Sequence, residues 1–420
     1  MTVAAYVRGL APRLPRELWT FELGVLVNAA GTGMAMPFTA IYLHNVRGFG
    51  LGTTGLVLAA FAAVSFVATP LAGSVIDGLG ARRTLAVALV VSAAGYGLLP
   101  LVRVPWQAYA AMALAGVGNG AFWPAQSTTL ATLAGRELRS RAYAVQRGLF
   151  NLGMGIGAMT AGLVAVSSQP RTFTILFVAD AATFVAYALL LAVLRVPEPE
   201  GAARAESGGR WLDVLRDRVF LGVLGLNVVY VVAGYTLFEI ALPVFAKNDA
   251  GVSETGIGLF FFLNTLTIVL LQLPVAKLLE GRSRLRALGA MTVVWAVAWA
   301  VVFAAGSFLD GVPAAALFTV AAVVFGAGEC ALGPAQSALV ADMAPDRLRG
   351  RYLSLVTSSA AVGFMIGPAA VGFVLAASPL TLWPVGALVL LLAGAGALAL
   401  DPRVPADVRL APVARPAVEG

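Results

Sequence analysis

Five ionisable side chains stand inside long apolar runs of this 420-residue chain: Glu22, Arg147, Asp180, Glu239 and Glu329. A charge at the centre of a bilayer costs roughly 2.5–3.5 kcal/mol on insertion scales, so each is a candidate for function. Glu329, in FGAGECALGP, lies near the middle of an apolar run and is flanked by small residues that leave room around it. A carboxyl in such surroundings can exchange a proton as they turn from dry to wet, and it can attract a cation. The plainer alternative is a protonated acid hydrogen-bonded to a neighbouring helix. Glu22 sits about one turn into the first run, with Asn28 deeper in, and faces either a cavity or the membrane interface. Glu239, four residues before Pro243, suits an outer gate or a proton-uptake point, or else a solvated helix end. Arg147 and Asn151 share a helix face at i, i+4 and could line a cavity. Asp180 is close enough in depth to pair with Arg147, although a structural role suits it better.

Other chemistry is excluded by what the chain contains. A single cysteine, Cys330, rules out a disulfide framework, and a single histidine, His44, rules out histidine zinc sites. No GxxxxGK[ST] phosphate loop is present, so no ATP hydrolysis is expected. No Ser, His or metal constellation suggests an enzyme, and no cofactor or metal is expected.

The elements that position these groups follow from composition. Sixty per cent of residues are hydrophobic and only 12% are charged, against about 25% charged in soluble domains. Most of the surface must therefore face lipid. Runs of about 20 apolar residues predict twelve spans near 18–43, 51–77, 84–102, 106–133, 142–168, 171–194, 219–246, 254–280, 287–308, 312–342, 351–377 and 380–400. With both termini cytoplasmic, 23 Lys and Arg fall in loops and termini on the inner side and four on the outer side. That bias fixes orientation and also removes nucleic acid as a partner, because the positive charge flanks a membrane. The fold class is thus all-α membrane, with a polar cytoplasmic linker at 195–218 between bundles at 1–194 and 219–400, and a tail at 401–420. The linker ends in a short surface helix at RWLDVLRDR, residues 210–218. Trp19, Trp106 and Trp383 suit interfacial anchors. Phe122, Trp123, Tyr235, Met34 and Met36 suit either an apolar cavity or ordinary packing.

The two halves are copies. PAQS occurs at Pro124 and again at Pro334, 210 residues on, and the same offset relates Arg139 to Arg349, Arg141 to Arg351, Gly157 to Gly367 and Gly162 to Gly372. It also relates Glu329 to Asn119, so that position is polar in both halves. Parallel repeats of this kind predict a transporter with its substrate site between them.

The loop GSVIDGLGARR resembles the signature loop of the major facilitator superfamily, with Gly73, Asp77, Gly80, Arg82 and Arg83 in its pattern. Gly78 and Ala81 stand where that pattern usually has basic residues. The resemblance covers the whole chain and implies that this loop is a latch favouring one access state. It also implies that the first helix lines the cavity, and that an acid ends the fourth helix. Thr132 occupies that last position here, while its repeat mate is Asp342.

Within the superfamily the chain is most like the bacterial twelve-helix drug:proton antiporters. Gly153, Gly157 and Gly162 fit their fifth-helix motif, Ala158 replaces its Pro, and Gly367-Pro368 and Gly372 lie in the eleventh span instead. Small residues at that spacing equally serve close helix packing. The arginine common in the fourth helix of proton-coupled members is absent, with Leu114 near its place.

The expected function is alternating-access, proton-coupled export of a small hydrophobic compound across the cell (inner) membrane by a multi-pass monomer. The partners are the substrate, protons and the lipid bilayer. The alternatives are a metabolite or sugar importer of the same fold, and a polytopic enzyme or sensor without transport.

Overall fold

A chain in hydrocarbon has no water to satisfy its amide groups, so each apolar run must close its hydrogen bonds within itself as a helix. The computed structural model describes residues 14–194, 214–345 and 348–411. Among them, regular structure is helical apart from one isolated bridge between Ser283 and Leu410. The helices are α1 (Arg16–Val46), α2 (Leu51–Leu79), α3 (Ala81–Leu98), α4 and α5 (105–134 and 136–164) and α6 (Pro170–Val193). They continue as α7 (Arg218–Asn248), α8 (Glu254–Leu278), α9 (Arg284–Phe308), α10 (Gly311–Met343), α11 (Arg349–Ala377) and α12 (Leu382–Leu400). α4 and α5 run on as one 60-residue helical segment broken at Gly135, whose φ of 60° and ψ of −167° are accessible to glycine without strain. The other ten helices are long and apolar enough to cross a membrane. The N-terminal arginines Arg8 and Arg13, linker residues 195–213, Arg347 and tail residues 412–420 lie outside the described residues.

The chain divides into two compact units, residues 1–203 with 253–265 and residues 204–252 with 266–420, so α8 is split at Thr265. In the first unit, α1 carries α5 on one face and α6 on another. A Cβ at Gly153 would stand 2.7 Å from the Leu26 carbonyl, and one at Gly157 only 1.9 Å from that of Ala30. Gly24 lies against the Tyr187 ring, and Gly31 against Thr183 and Asp180. Further along α5, Gly162 abuts Gly258 and the Glu254 carbonyl.

The second unit repeats the α1–α5 contact with α7 and α11, where Gly363 lies against Val231 and Gly367 against Thr236. Gly153 and Gly363, like Gly157 and Gly367, are 210 residues apart, so the duplicated glycines mark duplicated helix contacts. Pro368 and Gly372 are buried on the same helix. Gly153, Gly157, Gly162 and Gly367 thus all stand at close helix contacts.

An aromatic core fills the second unit. The indole N–H of Trp295 donates to the Phe325 carbonyl at 2.9 Å, and that of Trp299 to the Ala233 carbonyl at 2.8 Å. Trp383 belongs here too, fully buried with its ring 5.2 Å from Phe245 and 5.4 Å from Trp299. This corrects its assignment as an interfacial anchor: the hydropathy of its run does not say which face it takes. Trp19 and Trp106 are exposed.

The arginine-rich helix ends are tied down by hydrogen bonds. Gly80, with a φ of 81°, ends α2 and starts α3. Just beyond it, Arg82 donates to the carbonyls of Leu191 and Leu194, both at 3.1 Å, which closes the C-terminus of α6. Asp77, by contrast, is exposed and has no hydrogen bond or ion pair among the described residues. In the second unit, buried Arg284 pairs with half-exposed Asp342 at 2.6 Å and donates to the Val408 carbonyl at 3.0 Å. The acid that the first half lacks at Thr132 is thus engaged in the second half.

Replacing Asp342→Ala removes the acceptor and leaves the buried Arg284 guanidinium to the Val408 carbonyl alone. It is expected to lower stability by about 1–3 kcal/mol, read as a drop in the melting temperature of the detergent-purified protein. The replacement Glu17→Gln, exposed at the start of α1, serves as the control.

Candidate functional site

In the second unit, the helices that carry Tyr235, Glu239 and Glu329 depart from α geometry. α7 is π-helical over Tyr230–Tyr235 and Leu237–Ala241. α10 does not run unbroken past Glu329: its α segment ends there, passes through a turn and resumes as a π-helix over Gly333–Ser337. Such π-turns recur at functional sites. The second PAQS thus adopts a π-helix, while the first remains α-helical.

The Tyr235 hydroxyl donates to Glu329 Oε1 at 3.0 Å. Glu239, four residues after Tyr235, lies within electrostatic range of Glu329, and its Oε2 is buried without a hydrogen-bond partner. Phe238 stacks on Phe325 at 4.6 Å, while Trp295 meets Tyr235 edge-on at 5.5 Å. Glu239 thus stands on the irregular stretch of α7, within electrostatic range of the second carboxyl. Two carboxyls and a phenol beside aromatic faces can hold one or two protons or a monovalent cation. The aromatic faces also attract a flat organic cation.

A second polar cluster is built inside the first unit. Glu22 on α1 is fully buried, and neither carboxyl oxygen has a hydrogen-bond partner. The Tyr187 hydroxyl lies within electrostatic range of it. Gln126 on α4 is buried within reach of the same hydroxyl, and Asn28, buried deeper on α1, leaves its side-chain N–H₂ group unpartnered. Buried polar atoms are rarely left so, which marks this cluster as a place for a proton or a polar ligand. Asn119, the repeat mate of Glu329, instead donates to Ser65 Oγ at 2.8 Å and joins α4 to α2.

Arg147 and Asp180 do not meet. Arg147 is exposed on α5, and Asn151 is half-buried. Asp180 is fully buried against Gly31 of α1, and its carboxyl has no partner. Depth along the membrane brought the two together in the sequence; helix faces separate them. Asp180→Asn keeps the shape of the side chain and is expected to change stability by no more than about 1–3 kcal/mol, read by thermal unfolding, and to leave proton coupling in vesicles intact.

Tyr187 and Gln126 escaped sequence reading because each is an ordinary residue of an apolar run until its helix neighbours are known. The role of Tyr235 was accessible through its i, i+4 spacing to Glu239.

Relatives place these features in context. The chain is 27% identical to the multidrug resistance protein MdtH of Cronobacter sakazakii over 72% of each chain. It is 25% identical to the MFS-type transporter YqjV of Bacillus subtilis, covering 83% of this chain and 84% of that one. It is 23% identical to a Na(+), Li(+), K(+)/H(+) antiporter of Planococcus maritimus, over 83% and 86% respectively. Among solved structures, a peptide transporter bound to sulfate superposes with a TM-score of 0.76 at 15% identity, covering 94% of this chain and 96% of that one. The nucleoside transporter NupG superposes with a TM-score of 0.67 at 14% identity, covering 92% and 99%. These likenesses establish a shared fold. The sequence profile of the Major Facilitator Superfamily matches twice, over residues 22–251 and 224–418, and the chain belongs to that superfamily.

Proposed function

We propose that this protein is a secondary active transporter that exchanges protons for a small, hydrophobic, preferably cationic compound and expels it from the cell. The observation that carries the proposal is the Glu329–Tyr235–Glu239 cluster against the aromatic wall of the second unit. Its carboxyls can release a proton when a cation arrives, and its rings favour a flat apolar body. The name of the MdtH relatives supports the drug-export part. Twelve crossings with both termini inside are part of this reading, supported by the arginine bias and by the break at Gly135, which divides the long helical segment into two span-length arms. The loop around Asp77 acts as the latch that sets the rate of the access cycle, with no chemistry of its own.

A second reading is monovalent cation/proton antiport. It is favoured by paired carboxyls in electrostatic range and by the Planococcus relative, which matches more of the chain than MdtH does. One experiment separates the two. Inverted membrane vesicles carrying the protein are acidified inside by respiration, and a pH-sensitive dye reports proton release on adding Na⁺, Li⁺, K⁺ or a lipophilic cationic dye. Release on the organic cation alone supports drug export, while release on the metal ions supports the second reading. Substrate movement that ignores an uncoupler would overturn both.

A further inference from the structure

A cleft of about 620 Å³ opens at the arginine-rich end of the second unit, a volume within the roughly 300–1,000 Å³ range of ligand sites. Its wall is apolar, with Leu278 from α8, Met291 and Val294 from α9 and Ala327 from α10. Among the described residues, its charged lining is Arg282, Arg286 and Arg409, with no Asp or Glu. These arginines are held in place by the chain around them. Gly281 N–H donates to the Ala411 carbonyl and Ala411 N–H to the Arg282 carbonyl, both at 2.9 Å, so the tail is clipped to the α8–α9 turn. Arg286 is anchored through Nε to Asp401 at 2.9 Å. Arg409 keeps a buried Nε with no hydrogen-bond partner. Asp401 thus engages Arg286, while Arg282 and Arg409 present guanidinium groups to the cleft.

We propose that this cleft binds an anionic phospholipid, with its phosphate on Arg282 and Arg409 and an acyl chain along the apolar wall. α8 ends at Leu278 and α9 begins at Arg284, so the arginines stand where the helices leave hydrocarbon, at the depth of lipid headgroups. Basic pockets between helices at that depth suit anionic headgroups. A free phosphate would gain nothing from the wall, and a zwitterionic lipid would set its own cation against the arginines. Gly328 and Ala331 extend the cleft to the loosened part of α10 around Glu329, so a bound lipid braces the helix where it is weakest.

The test uses the full chain purified in detergent, with phosphatidylglycerol, phosphatidylcholine or inorganic phosphate added. Melting temperature and lipid retained in native mass spectra are the readouts. Phosphatidylglycerol is expected to bind about tenfold more tightly than phosphatidylcholine and to raise the melting temperature. The double replacement Arg282→Gln with Arg409→Gln should abolish the preference. Ala290→Trp, which fills the wall and spares the arginines, should lower retention of both lipids. A chain ending at Ala411 should bind as the full chain does. Equal binding of the two lipids, stabilisation by inorganic phosphate alone, or a preference that survives the double replacement would overturn the proposal. So would phosphatidylglycerol binding confined to the shortened chain, because the cleft would then belong to residues 412–420.

Discussion

Proton-driven transport is expected to fall at least about tenfold in Glu329→Gln, while the melting temperature stays near that of the parent. The two results belong together because glutamine matches glutamate in shape. Its amide oxygen can still accept the Tyr235 hydroxyl that now lies 3.0 Å from Glu329 Oε1, so the contact between α7 and α10 survives. What the amide cannot do is take up and release a proton. Substrate should still equilibrate down its own gradient, and only accumulation against it should be lost. Glu239→Gln tests the partner: if the carboxyls act as a pair, it too should uncouple, and the double variant should be no worse than the worse single one. Tyr235→Phe removes one donor and leaves the acid, so it should shift the pH dependence of transport more than its maximum rate. Full proton dependence in Glu329→Gln would exclude Glu329 as the carrier.

Much of the fold is legible in composition and spacing, for a physical reason. Lipid forces apolar runs into helices, and the 210-residue offset of PAQS and the glycines can be read without coordinates. Where one helix gives way to a break or a π-turn is harder to see. Gly135 interrupts the segment Pro105–Val164, yet a glycine in a polar loop announces no particular dihedral angle. PAQS itself takes an α-helix in one copy and a π-helix in the other, so identical residues do not dictate identical local geometry.

The candidate site was readable as a set of positions and not as a set of contacts. An acid inside an apolar run stands out by its desolvation cost, which is a property of the residue alone. Whether it meets a partner depends on helix rotation, which runs of near-uniform hydropathy do not encode. Glu239 consequently joins Glu329, Arg147 misses Asp180, and Trp383 turns inward. The charge network at the arginine-rich end was likewise half-visible. Arg284 counts toward the topology of the chain, but its burial against Asp342 depends on how α9 meets α10.

The largest structural effect is expected at Gly157. A methyl group there would lie 1.9 Å from the carbonyl oxygen of Ala30, a backbone atom that cannot swing aside. The whole of α1 would have to retreat from α5 by about 1 Å to reach the shortest separation that real Cβ atoms show. Overpacking of this kind costs typically about 1–3 kcal/mol, so Gly157→Ala should lower the melting temperature by several degrees and Gly157→Leu should prevent folding. Gly367→Ala, at the same place in the second repeat, meets the side chain of Thr236 at 2.3 Å rather than backbone, so its cost should be smaller. Gly148→Ala has nothing within 4 Å and should be neutral or stabilising. Transport should fall with stability at Gly157, because the retreat of α1 carries Glu22 and Asn28 with it. A Gly157→Ala protein that melts with the Gly148→Ala protein would mean that α1 and α5 are not in contact through these glycines, and the duplicated helix pairing of the two units would lose its support.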